Sequence, residues 1–201
     1  MKTGKVKDLW AAQQEFRIEI IELIMPESGL ILDIGFGGVD YNVKKCQLIT
    51  MDITRGRPTV WGTAERLPFK SGTFNLVIST EVIEHVRKPK RMLDEVHRVI
   101  KNDGKWLLST PNIATLANRI ALFLLGRFPP DRTLHDNHDV GHLHFWDRKF
   151  LLDVLSKNGF RVEKSWHKFL QISPKIYISS SLIDKIFKNF LEQNLYLCNK
   201  V

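Results

Sequence analysis

The stretch ILDIGFGGVD, residues 31–40, constrains the fold more than any other part of the chain. Apolar β-formers run into Asp33, and Gly35, Gly37 and Gly38 follow within four residues. A buried strand that ends this way lets backbone approach a ligand, because glycine adopts positive φ freely and carries no Cβ. Asp52 closes the next strand candidate, 19 residues after Asp33. An acidic residue there can take both hydroxyls of a ribose through its two oxygens. The pattern serves several nucleotides, and a tight strand-to-helix packing turn would produce it with no ligand at all.

Apolar periodicity organises the remainder. Residues 8–25 read as an amphipathic helix with Phe16, Ile20, Leu23 and Ile24 on one face, closed by Pro26 and Gly29. Strands are predicted at 30–35, 47–52, 58–61, 74–80 and 104–110, the last two with continuous apolar runs, as central parallel strands have. A helix from Pro89 carries Met92, Leu93, Val96, Val99 and Ile100 on one stripe. A further helix over 147–158 stops at Asn158-Gly159 and feeds a strand over 160–166. Leu182, Ile183, Ile186, Phe187, Phe190 and Leu191 predict a late helix before a final strand, LYLCNKV. Strands alternating with helices imply an α/β domain, doubly wound around a mostly parallel sheet.

Residues 111–146 break that alternation. They hold an apolar helix, a PPDR break and a histidine-rich loop, and they leave the carboxyl edge of the sheet where such folds bind ligands. An insertion there is placed to act as a lid. We therefore divide a single domain into an N-terminal helix (1–27), a cofactor-binding half (28–110), the lid (111–146) and the rest of the sheet (147–201).

Composition sets outer limits. With 201 residues, 43% hydrophobic and 26% charged, the chain suits one globular domain. No apolar run reaches the roughly 18 residues a membrane span needs, and MKTGKVKDLW has no signal-peptide core, so a cytoplasmic protein is expected. Cys46 and Cys198, the two cysteines, sit in apolar contexts and read as reduced thiols. The net charge of +8 favours an anionic partner, but RKPKR at 87–91 reads as a solvated helix start, and no nucleic-acid motif accompanies it.

Two longer phrases narrow the ligand. GTAERLPFKSGTFNLVISTEVIEHV (62–86) and LDEVHRVIKNDGKWLLSTPN (93–112) resemble the class I S-adenosylmethionine-dependent methyltransferases, in the subgroup typified by ubiquinone and menaquinone methyltransferases. HLHFWDRKFLLDVLSKNGFRVEK (142–164) resembles that family's next element, so the likeness runs over about residues 28–166. It implies a Rossmann-like sheet of seven strands with an antiparallel last strand. It also implies S-adenosylmethionine as cofactor. Gly35, Phe36 and Gly37 would pass its methionine and ribose, Asp33 would lie near its amino end, and Asp52 with Ile53 would border the ribose. Ala64 and Glu65 would flank the adenine, and Thr80 and Glu81 the methionine side. Val39 in place of a third glycine, Phe36 in place of a small residue, and Thr63 in place of an adenine-binding aspartate depart from the family. So does the short spacing to Asp52, which leaves room for barely one helical turn. These departures keep open a degenerate protein that binds the cofactor without catalysis.

Glu81, Glu84 and His85 fall at i, i+3 and i+4, and on a helical turn they would share an arc of about 100°. Such a set can hold a histidine as a base, or bind a divalent cation such as Mg²⁺ or Mn²⁺. His142, in GHLHFW, matches a histidine that resembling enzymes turn toward the site. Two branches with the same E-x-x-E-H phrase use the set for metal, so Glu81, Glu84, His85 and His142 are the metal candidates. We rank that use below general-base work by His85 or His142. His135, His138 and His144 complete a cluster whose plainer reading is loop surface. The apolar run at 118–128 would suit a small-molecule or lipid- or glycan-linked acceptor, a peripheral membrane contact or a dimer. The leading expectation is O-methylation of such an acceptor, with RNA 2′-O-methylation as the alternative.

Overall fold

The computed structural model describes residues 2–5, 9–38, 40–53, 57–126, 141–173 and 176–201. Val39, the PPDR break, His135 and His138 lie outside the described residues. Ten strands and five helices follow in chain order among those described: β1 (Lys2–Lys5), α1 (Leu9–Ile24), β2 (Ser28–Ile34), β3 (Lys45–Asp52), β4 (Val60–Trp61), β5 (Phe74–Thr80), α2 (Pro89–Val99), β6 (Ile100–Pro111), α3 (Leu116–Leu125), α4 (Arg148–Lys157), β7 (Phe160–Lys168), β8 (Leu170–Ser173), β9 (Ile176–Ser179), α5 (Ser181–Ile186) and β10 (Gln193–Lys200).

Seven of the strands form one sheet in the order β4-β3-β2-β5-β6-β10-β7. Pairing is parallel from β4 to β6, while β10 runs antiparallel to both β6 and β7. The expected α/β sheet with one reversed late strand is present. This sheet begins at β2 and is built outward in both directions, so the switch point lies between β2 and β5. Ligands of open α/β sheets bind beyond the strand ends there.

Alternation along each central strand fills two cores. Leu32, Val77, Trp106 and Leu108 face one side, where Met92, Leu93, Val96 and Val99 of α2 and Leu151 and Leu155 of α4 cover them. Ile31, Leu76, Ile78 and Leu107 face the other, covered by Leu9, Phe16, Ile20 and Ile21 of α1. Successive strand side chains point to opposite faces, so a strand apolar at every position must be sandwiched. Trp106, fully buried, places its indole nitrogen 2.8 Å from the Ser79 hydroxyl.

Three expectations change. The late helix is the short α5, and Phe187–Phe190 form a turn closed by the Phe190 amide on the Phe187 carbonyl at 2.7 Å. The chain must reverse there, because the Glu192 amide is already tied to the Phe169 carbonyl at 2.9 Å as β10 begins. A second sheet, β1-β9-β8, was not foreseen, since four-residue strands carry too little alternation to read. Between Ile34 and Lys45 no described residue is helical, and Tyr41 and Val43 pack instead against the α1 side of the core. Among the described residues, no helix is long and apolar enough to cross a membrane.

Candidate active site

The glycine turn leaves β2 at the switch point. Gly35 takes φ +75° and bonds its amide to the Met51 carbonyl at 2.8 Å. A Cβ added to Gly35 would meet Val82 Cγ2 at 2.4 Å, so both conformation and space require glycine. The Gly37 amide donates to Asp52 Oδ2 at 3.2 Å, which fixes the Asp52 carboxylate at the tip of β3. Asp33 lies buried beneath, and the Tyr41 hydroxyl donates to its Oδ2 at 2.8 Å. Burial pushes the Asp33 carboxyl up to about 7; the Tyr41 bond opposes this and the charge of Asp52 adds to it. Phe36 is half-buried, and Ile53, just past β3, is 63% exposed. Ala64 is buried at the adjoining turn, whereas the Glu65 carboxylate accepts from the Arg87 and Lys88 amides at 2.8 and 3.2 Å. Glu65 therefore ties its turn to the start of α2.

A second group gathers beyond β5. Residues 81–86 were expected as a helical turn with Glu81, Glu84 and His85 on one face. They form a single turn closed by the His85 amide on the Val82 carbonyl at 2.9 Å, and Glu81 lies outside it at φ +58°. That left-handed residue, just past Thr80, swings the Glu81 carboxylate toward Ser109 Oγ at 2.5 Å and Arg17 Nη1 at 3.6 Å. Glu84, His85 and His142 do converge, with potential ligand atoms all within 4.8 Å of one another. Three of the four metal candidates thus meet, and Glu81 stands apart from them. The His85 and His142 rings lie 4.8 Å apart between centroids, and His85 Nε2 is 4.0 Å from Glu84 Oε1.

Glu84 is 1% exposed and anchors this corner. Its Oε2 accepts from the Thr110 hydroxyl at 2.9 Å, and its carbonyl accepts the Leu143 and His144 amides at 2.8 and 3.1 Å. Those two amides carry His142 to the site. Its Oε1 has no hydrogen-bond partner among the described residues. Burial, reinforced by Glu81, holds its carboxyl well above the usual range, against hydrogen bonds and Arg17.

The residues that sequence reasoning missed are those compensating this acidic corner. Arg17 of α1 is buried, and burial lowers its guanidinium from the ordinary value while Glu81 and Glu84 oppose that. The Gln193 amide, oriented to satisfy both neighbours, accepts from Arg17 Nη1 at 3.1 Å and donates to the Gln13 carbonyl at 3.3 Å. Glu192 lies close enough that burial and the charge of Glu81 push its carboxyl up to about 7. Arg17 left a signal: positions 17, 20, 21 and 24 form a helical stripe, and a charge there needs a buried partner.

The edge thus presents two acids under a glycine turn beside a glutamate and two imidazoles. It can hold a nucleoside through paired ribose hydroxyls, favour positive charge, and accept a proton nearby. Comparisons with known proteins bear on the family and the fold. An uncharacterized protein of Methanocaldococcus jannaschii, MJ1252, is 26% identical over 207 aligned positions, spanning 91% of this chain and 80% of that one. The crystal structure of an S-adenosylmethionine-dependent methyltransferase from Thermotoga maritima superposes with a TM-score of 0.65 at 17% identity, covering 97% and 94% of the two chains. One from Mesorhizobium loti gives 0.61 at 18% identity, covering 90% and 96%. At these identities the structures establish the shared fold. Residues 11–165 match the family described as a methyltransferase domain, and the chain belongs to that family.

Proposed function

We propose that this enzyme transfers the methyl group of S-adenosylmethionine to an oxygen atom of a small or lipid- or glycan-linked acceptor. The observation that carries the reading is the switch-point pair of Asp33 and Asp52 beneath the Gly35–Gly37 turn, next to the Glu84-His85-His142 corner. The residues fit the cofactor: the turn is closed to a side chain at Gly35, and the carboxylates at this edge favour a ligand with cationic sulfonium and ammonium groups. Asp52 would hold the ribose hydroxyls, Asp33 would face the amino end, Ile53 would offer an apolar surface beside the base, and Thr80 and Glu81 would border the methionine. When bound, S-adenosylmethionine supplies a methyl group already activated by sulfonium. The chain then has to align the acceptor in line within about 3–3.5 Å and accept its proton. His85 or His142 would take that proton, a contribution of about 10²–10⁴.

Calorimetry with S-adenosylhomocysteine tests the reading. Wild-type protein is expected to bind, and Asp52→Ala to lose binding while keeping its thermal midpoint. Equal binding by both would place the nucleoside elsewhere. A second use of the corner follows from Glu84 Oε1, which faces two imidazoles without a hydrogen-bond partner among the described residues. Glu84, His85 and His142 would then hold Mg²⁺ or Mn²⁺. Tight Mn²⁺ binding seen by electron paramagnetic resonance, and lost in His142→Gln, would assign the three to metal.

A further inference from the structure

Beyond the carboxyl end of β6 lies a cavity of about 640 Å³ between α3 and the first turn of α4. Its lining combines the apolar Ile113, Ala114 and Leu122 with the cations Arg119, Arg148 and Lys149. Among the described residues its one acidic lining residue is Asp147, whose Oδ1 caps α4 by accepting the Phe150 amide at 3.0 Å. The cavity is therefore cationic.

Two of the cations are held in place. Arg119 donates through Nε to the Ala114 carbonyl at 2.8 Å, and its guanidinium lies 4.9 Å from the centre of the Phe190 ring. Arg148 is less satisfied. Its Nε is buried without a hydrogen-bond partner among the described residues, and Nη1 makes one long contact of 3.4 Å to Asn189 Oδ1. A buried guanidinium donor left unpaired is costly, and an oxyanion is its best partner.

The apolar surface continues outward along α3. α3 has no buried side chain, and beyond Leu122 it exposes Phe123, at 88%, together with Leu124 and Leu125. Exposed apolar surface joined to a cationic cavity matches a molecule with one charged end and one greasy end.

We propose that this cavity binds the oxyanion head of an amphiphilic acceptor, with Arg148, Lys149 and Arg119 around the head and the apolar chain along Leu122 and the outer face of α3. The inference rests on the function proposed above and narrows its substrate class to anionic amphiphiles. The head, a phosphate or a carboxylate, would seat the acceptor beside the edge where Thr110 meets Glu84.

The test uses the full chain with dodecyl phosphate, dodecanoate, dodecanol and inorganic phosphate, each kept below any micelle threshold, with binding read by calorimetry. Saturable one-to-one binding of dodecyl phosphate or dodecanoate is expected, and the two arms tell phosphate from carboxylate. Arg148→Gln and Lys149→Gln should each weaken it about tenfold or more, a loss of roughly 1.4 kcal/mol. Leu122→Gln should weaken the amphiphiles and leave inorganic phosphate unchanged. Dodecanol binding as tight as dodecyl phosphate, or binding unchanged in Arg148→Gln, would each overturn the proposal. S-adenosylhomocysteine is titrated into the same samples. Its binding without amphiphile binding removes this inference alone. Amphiphile binding without it removes the methyltransferase reading, and the acceptor role of the cavity with it.

Discussion

Asp33 shows what a single buried carboxyl costs the fold. Its acid form is favoured in the folded protein up to about pH 7, against an ordinary value of 3.8. Between those values the folded state binds a proton that the unfolded chain has released. Stability from this group is therefore fully present below about pH 4 and lost as pH rises through 7, a decline on the order of 2–4 kcal/mol. Asp33→Asn keeps a carbonyl oxygen for the Tyr41 hydroxyl and removes the titration. Urea denaturation at pH 5 and pH 8 should show the variant gaining more on wild type at the higher pH; an equal gain at both would refute the assignment. The strain has a reason under the proposed function, because an ionised carboxylate there favours a cationic ligand. Stability set aside at a binding site is a familiar trade.

At the scale of elements, the chain was legible wherever burial imposes a period. β5 and α2 needed no tertiary information: one carries the apolar run Leu76–Ile78 after Phe74, and the other carries its buried residues at helical spacing from Pro89. The turn at Gly35–Gly37 and the strand-end carboxyls of Asp33 and Asp52 were legible for a related reason, since glycines after an apolar run mark where a buried strand ends. What stayed hidden depends on long-range partners. The turn at 81–86 has helical spacing, but Glu81 is drawn into a left-handed conformation by Ser109 and Arg17, distant residues that local pattern cannot supply. The small sheet and the shortened α5 were hidden because contacts, and not periodicity, define them. α1 carries the element-scale prediction, because it brings Arg17 to Glu81 and Glu84. Removing one partner of a buried charge group leaves the others uncompensated, at about 3–5 kcal/mol. Arg17→Met should therefore lose most of its stability at pH 8. It should recover part of it at pH 5, because burial and Glu81 raise the Glu84 carboxyl and lowering the pH relieves the uncompensated charge. An equal loss at both values would make Arg17 a packing residue.

Across the whole molecule, charge and apolar surface are partitioned by the sheet. The chain is +8 overall, yet Asp33, Asp52, Glu81, Glu84 and Glu192 collect at one sheet edge, so cations are favoured there and anions elsewhere. The two faces are covered unequally as well. α2 and α4 share one, while α1 is the main helical cover of the other and also delivers Arg17. Leu9, Phe16, Ile20 and Ile21 are all buried on that face. At about 1.5–3 kcal/mol for each such side chain, their loss would remove roughly 6–12 kcal/mol. A domain of this size has a total stability of about 5–15 kcal/mol. A chain lacking residues 1–24 would thus leave Ile31, Leu76, Ile78, Leu107 and Leu195 under water on a wide apolar sheet. It should fail to give a cooperative thermal transition by circular dichroism and should elute as aggregate from a sizing column. A monomeric truncated chain with a sharp transition would show that the sheet is stable with one face bare, and α1 would then be an appendage to the fold.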